Sequence, residues 1–270
     1  MTTNSTTSRP SPFDAASISR PLEGRTALVT GSTSGIGEAV ALTLASAGAT
    51  VVVSGRDRTR GADVVGRIKA GGGAAEFLPV DLAGSYAGLR QFSADATGLL
   101  RGRIDILVNN AGIYPATATA ELEDDELDAM LAVNVRAPHV LAASILPGMA
   151  VAGGGAVINV GSWMASVGSP FAAMYTATKA AVEQLSRSWA AEFGPHGVRV
   201  NTVSPGATLT PGNEAARAVL DAMTASTPAG VVVRPEDIAQ GVLFLASDAS
   251  RMMHGSVLAI DGGISSTRLG

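Results

Sequence analysis

Cysteine is absent from all 270 residues, which excludes disulfides, thiolate nucleophiles and Cys-ligated metals. A reducing compartment such as the cytoplasm is the expectation. Histidine is nearly absent too: His139, His196 and His254 lie far apart, so no metal site is expected. Aromatic residues make up 4% of the chain and charged residues 16%. Nineteen basic against 23 acidic side chains leave a net charge of −4 without a long basic run, and nucleic acid is therefore not an expected partner. What fills the chain is small: 46% is hydrophobic and 32 residues are glycine. Average usage would give about 19 glycines, so the excess must serve turns, close packing or ligand contacts.

Residues 140–178 carry no charged side chain, which raises the question of a membrane span. Pro147, the Gly153-Gly154-Gly155 triplet, Asn159, Ser162 and Pro170 interrupt the stretch short of the roughly 20 apolar residues a bilayer requires. Burial inside a fold is the expectation, with no membrane partner. Residues 1–20 are rich in Ser, Thr and Pro, lack the apolar core of a signal peptide, and read as a mobile extension.

From Gly24 onward short β-branched runs alternate with stretches of helical period. Strands are expected at 26–30, 50–54, 75–79, 104–109, 156–160, 198–204 and 257–260. Helices are expected at 36–47, 59–70, 85–100, 123–149, 172–193 and 236–246. The strands are almost continuously apolar, the pattern of parallel strands covered on both faces. Seven of them separated by helices imply an α/β, doubly wound Rossmann sheet, mostly parallel, with helices on both faces. A single domain over 21–270 is expected, with an insertion at about 207–233 that reads as a lid. Glu121 and residues 123–126 place acid at a helix start, where it complements the dipole. Pro138, inside the fourth expected helix, should kink it.

The first strand runs into Gly31-Ser32-Thr33-Ser34-Gly35-Ile36-Gly37 and then a helix. Glycines in that context allow a tight turn, close approach of a pyrophosphate and close helix packing, while the helix N-terminus attracts negative charge. An acidic residue ending the second strand would bind a ribose 2′-hydroxyl. Gly55 stands there instead, and Arg56 follows, suited to bidentate contact with a 2′-phosphate. The expected cofactor is NADP(H) in preference to NAD(H), with Asp57 as the competing ribose ligand.

Tyr175 and Lys179 are four residues apart in a helical stretch and share a face. A free phenol titrates near 10, too high for a good base at neutral pH; a neighbouring ammonium and an oxidised nicotinamide both favour the phenolate. Ser162, ending a strand, can donate to a substrate oxygen as charge develops there.

Together these motifs resemble the short-chain dehydrogenase/reductase family over about residues 24–263. The matches fall in family order: the turn at 30–37, Asn109-Asn110-Ala111-Gly112, Asn134, Ser162, Tyr175, Lys179, Pro205-Gly206 and Asp261-Gly262-Gly263. The resemblance implies a catalytic set of Asn134, Ser162, Tyr175 and Lys179. Asn134 would kink its helix and hold a water linking Lys179 to solvent. Asp81, with Leu82 beside it, would meet the adenine ring. Asn110 would support the sheet, and backbone at Asn109, Ala111 and Gly112 would lie along the cofactor. Tyr175 and Lys179 would also contact the cofactor, while Pro205, Gly206, Thr208 and Thr210 would turn over its nicotinamide and phosphates. The implied reaction is hydride transfer between nicotinamide C4 and a carbonyl or carbinol carbon.

One departure is Ser34, where many NADP-preferring relatives carry a basic residue. A 3-oxoacyl thioester reductase serving an acyl carrier protein is an alternative, disfavoured because no Lys or Arg occurs between Arg136 and Lys179. A non-catalytic nucleotide-binding scaffold is another, disfavoured because all four catalytic residues are present. Tyr114, Trp163, Met164, Val167, Phe171 and Met174, with Leu209, Val219, Leu220 and Met223, suggest an apolar pocket for a neutral ketone or secondary alcohol. The helices at 123–149 and 172–193 correspond to those the family uses to form homotetramers or dimers.

Overall fold

The computed structural model describes residues 20–267; the extension expected at 1–20 lies, apart from Arg20, outside the described residues. Seven strands form one sheet: β1 (Thr26–Val29), β2 (Thr50–Gly55), β3 (Ala74–Pro79), β4 (Ile106–Asn109), β5 (Gly155–Val160), β6 (Val198–Pro205) and β7 (Val257–Ile260). Their order is 3-2-1-4-5-6-7 and every pairing is parallel. Chain order reverses between β1 and β4, which opens a crevice at the carboxyl ends of those two strands.

The strands' period of two divides the core. Ala27, Val29, Val51, Val53, Ile106 and Val108 face one layer, with helices α1 (Gly35–Ser46) and α8 (Pro235–Ala246). Leu28, Val52 and Leu107, the residues between them, face the other, with α3 (Tyr86–Leu99), α5 (Ala137–Val151) and α6 (Ala173–Phe193). Each fully buried Leu or Val on either face contributes about 1.5–3 kcal/mol. Both faces are apolar, which is why the strands read as unbroken hydrophobic runs.

Helix starts follow local chemistry. Asp57 caps α2 (Arg58–Ala70) by accepting from the Arg60 N–H at 3.0 Å, and Ser85 caps α3 by accepting from the Gly88 N–H at 3.1 Å. The single helix expected at 123–149 is divided: α4 (Asp124–Leu131) passes into a π turn, Ala132–Arg136, before α5. There the Ala137 N–H reaches the Ala132 carbonyl, five residues back. Pro138 lies just beyond, in the first turn of α5, so the irregularity expected at the proline is centred on Asn134 instead. Pro147, read as an interruption, lies inside α5. The run Asp124–Val151 is long and apolar enough to cross a bilayer, but Val140, Leu141, Ile145, Leu146 and Met149 are spent on the second core layer. Residues 207–233 contain a 3-10 turn (Glu214–Ala216) and the short α7 (Arg217–Thr224), and are closed at their base by a bridge between Thr208 and Val233.

Candidate active site

Above the crevice runs a groove of about 450 Å³. Its floor is the turn after β1, where Gly31, Thr33, Ser34, Gly35, Ile36 and Gly37 all line it. Ser34 stands at the N-cap of α1 without a side-chain cap, so the first N–H groups of the helix are left for an anion. The turn is held from β4. Asn110 Nδ2 donates to the carbonyls of Thr30 (2.9 Å) and Gly31 (3.1 Å), and Thr30 Oγ1 accepts from the N–H groups of Asn110 and Ala111. Space at Gly37 is already taken: a Cβ there would sit 2.3 Å from the Gly31 carbonyl oxygen. The cradle is therefore built for backbone alone and has the size and polarity to fit a pyrophosphate.

At the β2 end the groove meets Gly55, Arg56, Asp57 and Arg60. Asp57 is occupied, accepting from both the backbone N–H and Nε of Arg60, which holds its carboxyl below the ordinary value. Arg56 is exposed at the rim. Past β3, Asp81 and Leu82 line the same end; Asp81 Oδ1 accepts from the Ala83 N–H at 3.0 Å, forming a turn. Ala111, Gly112 and Thr210 complete the walls.

Besides Tyr175 and Lys179, the expected cofactor contacts Ser32, Asn109, Pro205, Gly206 and Thr208 fall outside the groove lining. Ser32 is fully buried, donating to the Val29 carbonyl (2.7 Å) and accepting from the Ser54 N–H, so it ties the turn to β2. Asn109 donates to Asn159 at 2.8 Å within the sheet. The loop 205–208 folds on itself: Thr208 Oγ1 donates to the Gly206 carbonyl, and its own carbonyl accepts from Asn213 Nδ2 at 2.9 Å. Asn213, which also accepts from the Thr210 N–H at 2.7 Å, was not legible as a site residue because its partners form only once the loop is folded.

The Ser, Tyr, Lys and Asn set converges where β4, β5, the π turn and α6 meet. Ser162 follows β5, its Oγ accepts from the Met164 N–H at 3.2 Å, and its hydroxyl favours the Tyr175 phenolate. Lys179, buried one turn along α6, donates to the Val160 carbonyl at 2.8 Å and lies 5.8 Å from the Tyr175 ring centre. Asn134 spends its amide on the opposite wall: Oδ1 accepts from the Ile113 N–H at 2.9 Å, while Nδ2 donates to the Ile113 carbonyl and to Thr178 Oγ1. Gly112 separates Lys179 Nζ and Asn134 Oδ1; a Cβ there would lie 3.3 and 3.5 Å from them. Burial dominates the electrostatics. It pushes the Tyr175 phenol above its ordinary value, against the opposing effect of the Ser162 hydroxyl, and pulls the Lys179 ammonium down to about 8. The phenol of the free protein is thus raised, the opposite of the lowering expected from a neighbouring ammonium and an oxidised nicotinamide together.

Tyr114, half-exposed, packs edge-on against Tyr175 with ring centres 4.6 Å apart. It forms one wall of a second cavity of about 700 Å³, together with Trp163, Met164, Val167, Phe171, Val219 and Met223. Residues 264–267 close the far side, and among the described residues no charged side chain lines it. Of the candidate apolar lining, Met174, Leu209 and Leu220 lie elsewhere. The C-terminal wall was not foreseen; Asp261, buried and accepting from the Gly263 and Ser265 N–H groups, folds it back.

Comparison with known proteins gives a consistent result. A family model described as enoyl-(acyl carrier protein) reductase matches residues 31–265. Cyclopentanol dehydrogenase of Comamonas sp. is 35% identical over 245 residues, covering 87% of this chain and 95% of the relative. A solved short chain dehydrogenase/reductase family protein is 42% identical with a TM-score of 0.83, covering 92% of this chain and 100% of that one. A gluconate 5-dehydrogenase from Burkholderia cenocepacia, solved in complex with NADP and tartrate, is 34% identical with a TM-score of 0.86, covering 92% of this chain and 98% of that one.

Proposed function

The chain belongs to the short-chain dehydrogenase/reductase family of oxidoreductases, and on that premise we propose that it interconverts a neutral, apolar ketone and its secondary alcohol with NADP(H). The nicotinamide supplies or accepts the hydride at C4. The chain's own residues bind, orient and move the proton. In reduction Tyr175 passes its phenolic proton to the carbonyl oxygen as the hydride reaches carbon; in oxidation the phenolate takes it back. Ser162 donates a hydrogen bond to the same oxygen. Lys179 beside the phenol favours its ionised form, and cofactor charge adds to that effect. We assign to the Asn134 carbonyl, within the π turn, a water for proton exchange with Lys179.

The observation that carries the substrate reading is the cavity whose described lining is uncharged and whose wall residue Tyr114 packs against Tyr175. It favours substrates of the cyclopentanol kind over the sugar acid that names the gluconate dehydrogenase relative, and among its described residues it offers no basic group to an acyl carrier. For the cofactor, the support is the side-chain-free Gly55, Arg56 at the groove rim, and an Asp57 already engaged by Arg60. We assign residues 207–233 as a lid over the cavity and the helices α4, α5 and α6 to homotetramer or dimer contacts, which light scattering tests. Initial rates with NADPH and NADH over cyclic and aryl ketones and over ketogluconates test the whole reading. Faster turnover of neutral ketones, with NADPH, is the expected result; preference for the charged substrates overturns it.

A further inference from the structure

Arg136 is the last residue of the π turn, and nothing in the reaction just described uses it. Its side chain leaves the helix and crosses to the loop after β3, donating from Nη2 to the carbonyls of Ala83 (2.7 Å) and Gly84 (2.6 Å). The guanidinium also lies over the Tyr86 ring, 5.1 Å from its centre, and its Nε is buried with no hydrogen-bond partner.

The two segments it joins are the two walls of one end of the groove. Residues 80–83 line it from the β3 side, while Ala129 and Val133, from α4 and the π turn, line it from the other. This end lies beyond the β2 terminus, where a ribose is recognised, so it is the adenine end. Among the described residues no backbone hydrogen bond joins these walls; Arg136 spans them from 52 residues away in sequence. Short, charge-assisted hydrogen bonds with a planar, stacked donor suit such a spacer, because they set distance and direction together.

We propose that Arg136 is a positioning residue for the cofactor, holding the 80–84 loop at the spacing that lets the adenine ring enter. The inference rests on the dinucleotide reading of the groove. It requires that Arg136 act on nucleotide binding and leave the proton-transfer set alone.

The test measures adenosine 5′-diphosphate and adenosine 2′,5′-bisphosphate as competitive inhibitors of wild type, Arg136→Ala and Arg136→Lys, beside KM for the cofactor, kcat at saturating cofactor, and melting temperature. In the Ala variant both inhibition constants and the cofactor KM should rise together by roughly tenfold, equivalent to about 1.4 kcal/mol, while kcat changes far less. Lys should recover part of the loss, since it reaches the carbonyls with a point charge but cannot stack or fork. Inhibition constants equal to wild type, with only the melting temperature lowered, overturn the proposal and leave Arg136 a fold brace. A fall in kcat with unchanged nucleotide affinity overturns it as well. If the Ala variant does not fold, Lys against wild type decides: unchanged affinity in Lys with its stacking lost overturns the proposal. Failure of wild type to bind either adenine nucleotide is a different result, and it removes the cofactor reading itself.

Discussion

An alanine at position 37 would place its Cβ 2.3 Å from the Gly31 carbonyl oxygen, 2.4 Å from Asn110 Nδ2 and 2.9 Å from the Gly31 carbonyl carbon. Comfortable contacts between carbon atoms begin at about 3.5 Å, so the turn after β1 must retreat by roughly 1 Å. Two of the three neighbours are backbone, and the third is the amide that holds Thr30 and Gly31 in place. Overpacking of this kind costs about 1–3 kcal/mol. Loss of the Asn110 hydrogen bond to Gly31 adds about 1–3 kcal/mol if the groups are left unpaired. The sum, about 2–6 kcal/mol, lowers the melting temperature by roughly 4–24 °C at about 2–4 °C per kcal/mol. NADPH binding should weaken in the same variant, because the displaced turn carries the helix N–H groups away from the pyrophosphate. Gly66→Ala is the control: Gly66 lies inside α2, where an added Cβ would meet nothing within 4 Å, and the substitution should gain about 0.5–1 kcal/mol. Thermal melts with and without NADPH read both quantities. A Gly37→Ala protein that melts and binds like wild type refutes the close-approach argument.

Other outcomes follow from the same geometry. Arg56→Ala should raise KM for NADPH by roughly tenfold, the loss of one charge-assisted contact of about 1.4 kcal/mol, with KM for NADH unchanged; parallel changes in both contradict the 2′-phosphate assignment. Burial lowers Lys179 from 10.5 to about 8, so between those values the unfolded chain binds more protons and stability rises with pH, by up to about 3 kcal/mol. Tyr175, raised above 10.0 by burial, acts in the opposite sense at higher pH. Lys179→Met should therefore flatten the stability profile between pH 8 and 10; an unchanged rise in that variant counts against the buried ammonium. Removing the ring that covers the phenol, in Tyr114→Ala, should move the rising limb of kcat/KM for alcohol oxidation, where the phenol ionises, to lower pH, whereas Tyr114→Phe keeps the ring and should move it little. Profiles that do not differ between the two variants argue against shielding by Tyr114.

The sheet was legible because parallel strands are buried on both faces, so β1, β2, β4 and β5 stand out as apolar runs whatever the tertiary details. The glycine turn was legible because a strand, three glycines and a helix in series have few other uses. The π turn was not: its five-residue bonds leave the apolar period of α4 and α5 nearly intact, and Pro138 drew attention four residues beyond Asn134. Sequence also could not separate side chains that face a ligand from those that brace the turn behind it. Ser32 and Asn109 sit inside the motifs yet point into the sheet. Arg136 and Asn213 carry no local pattern at all, since each acts through partners that only the folded chain brings near. The Tyr175 phenol shows a further gap, because spacing identifies a neighbouring Lys but not how far both groups are buried.

Tyr175→Phe tests the central assignment most directly, since it preserves the ring that packs on Tyr114 and removes only the ionisable hydroxyl. Single-turnover rates of ketone reduction at saturating NADPH should fall by about 10²–10⁴, the range for loss of a positioned acid, with NADPH affinity retained. A variant that reduces the same ketone as fast as wild type contradicts proton transfer by Tyr175 and with it the proposed mechanism.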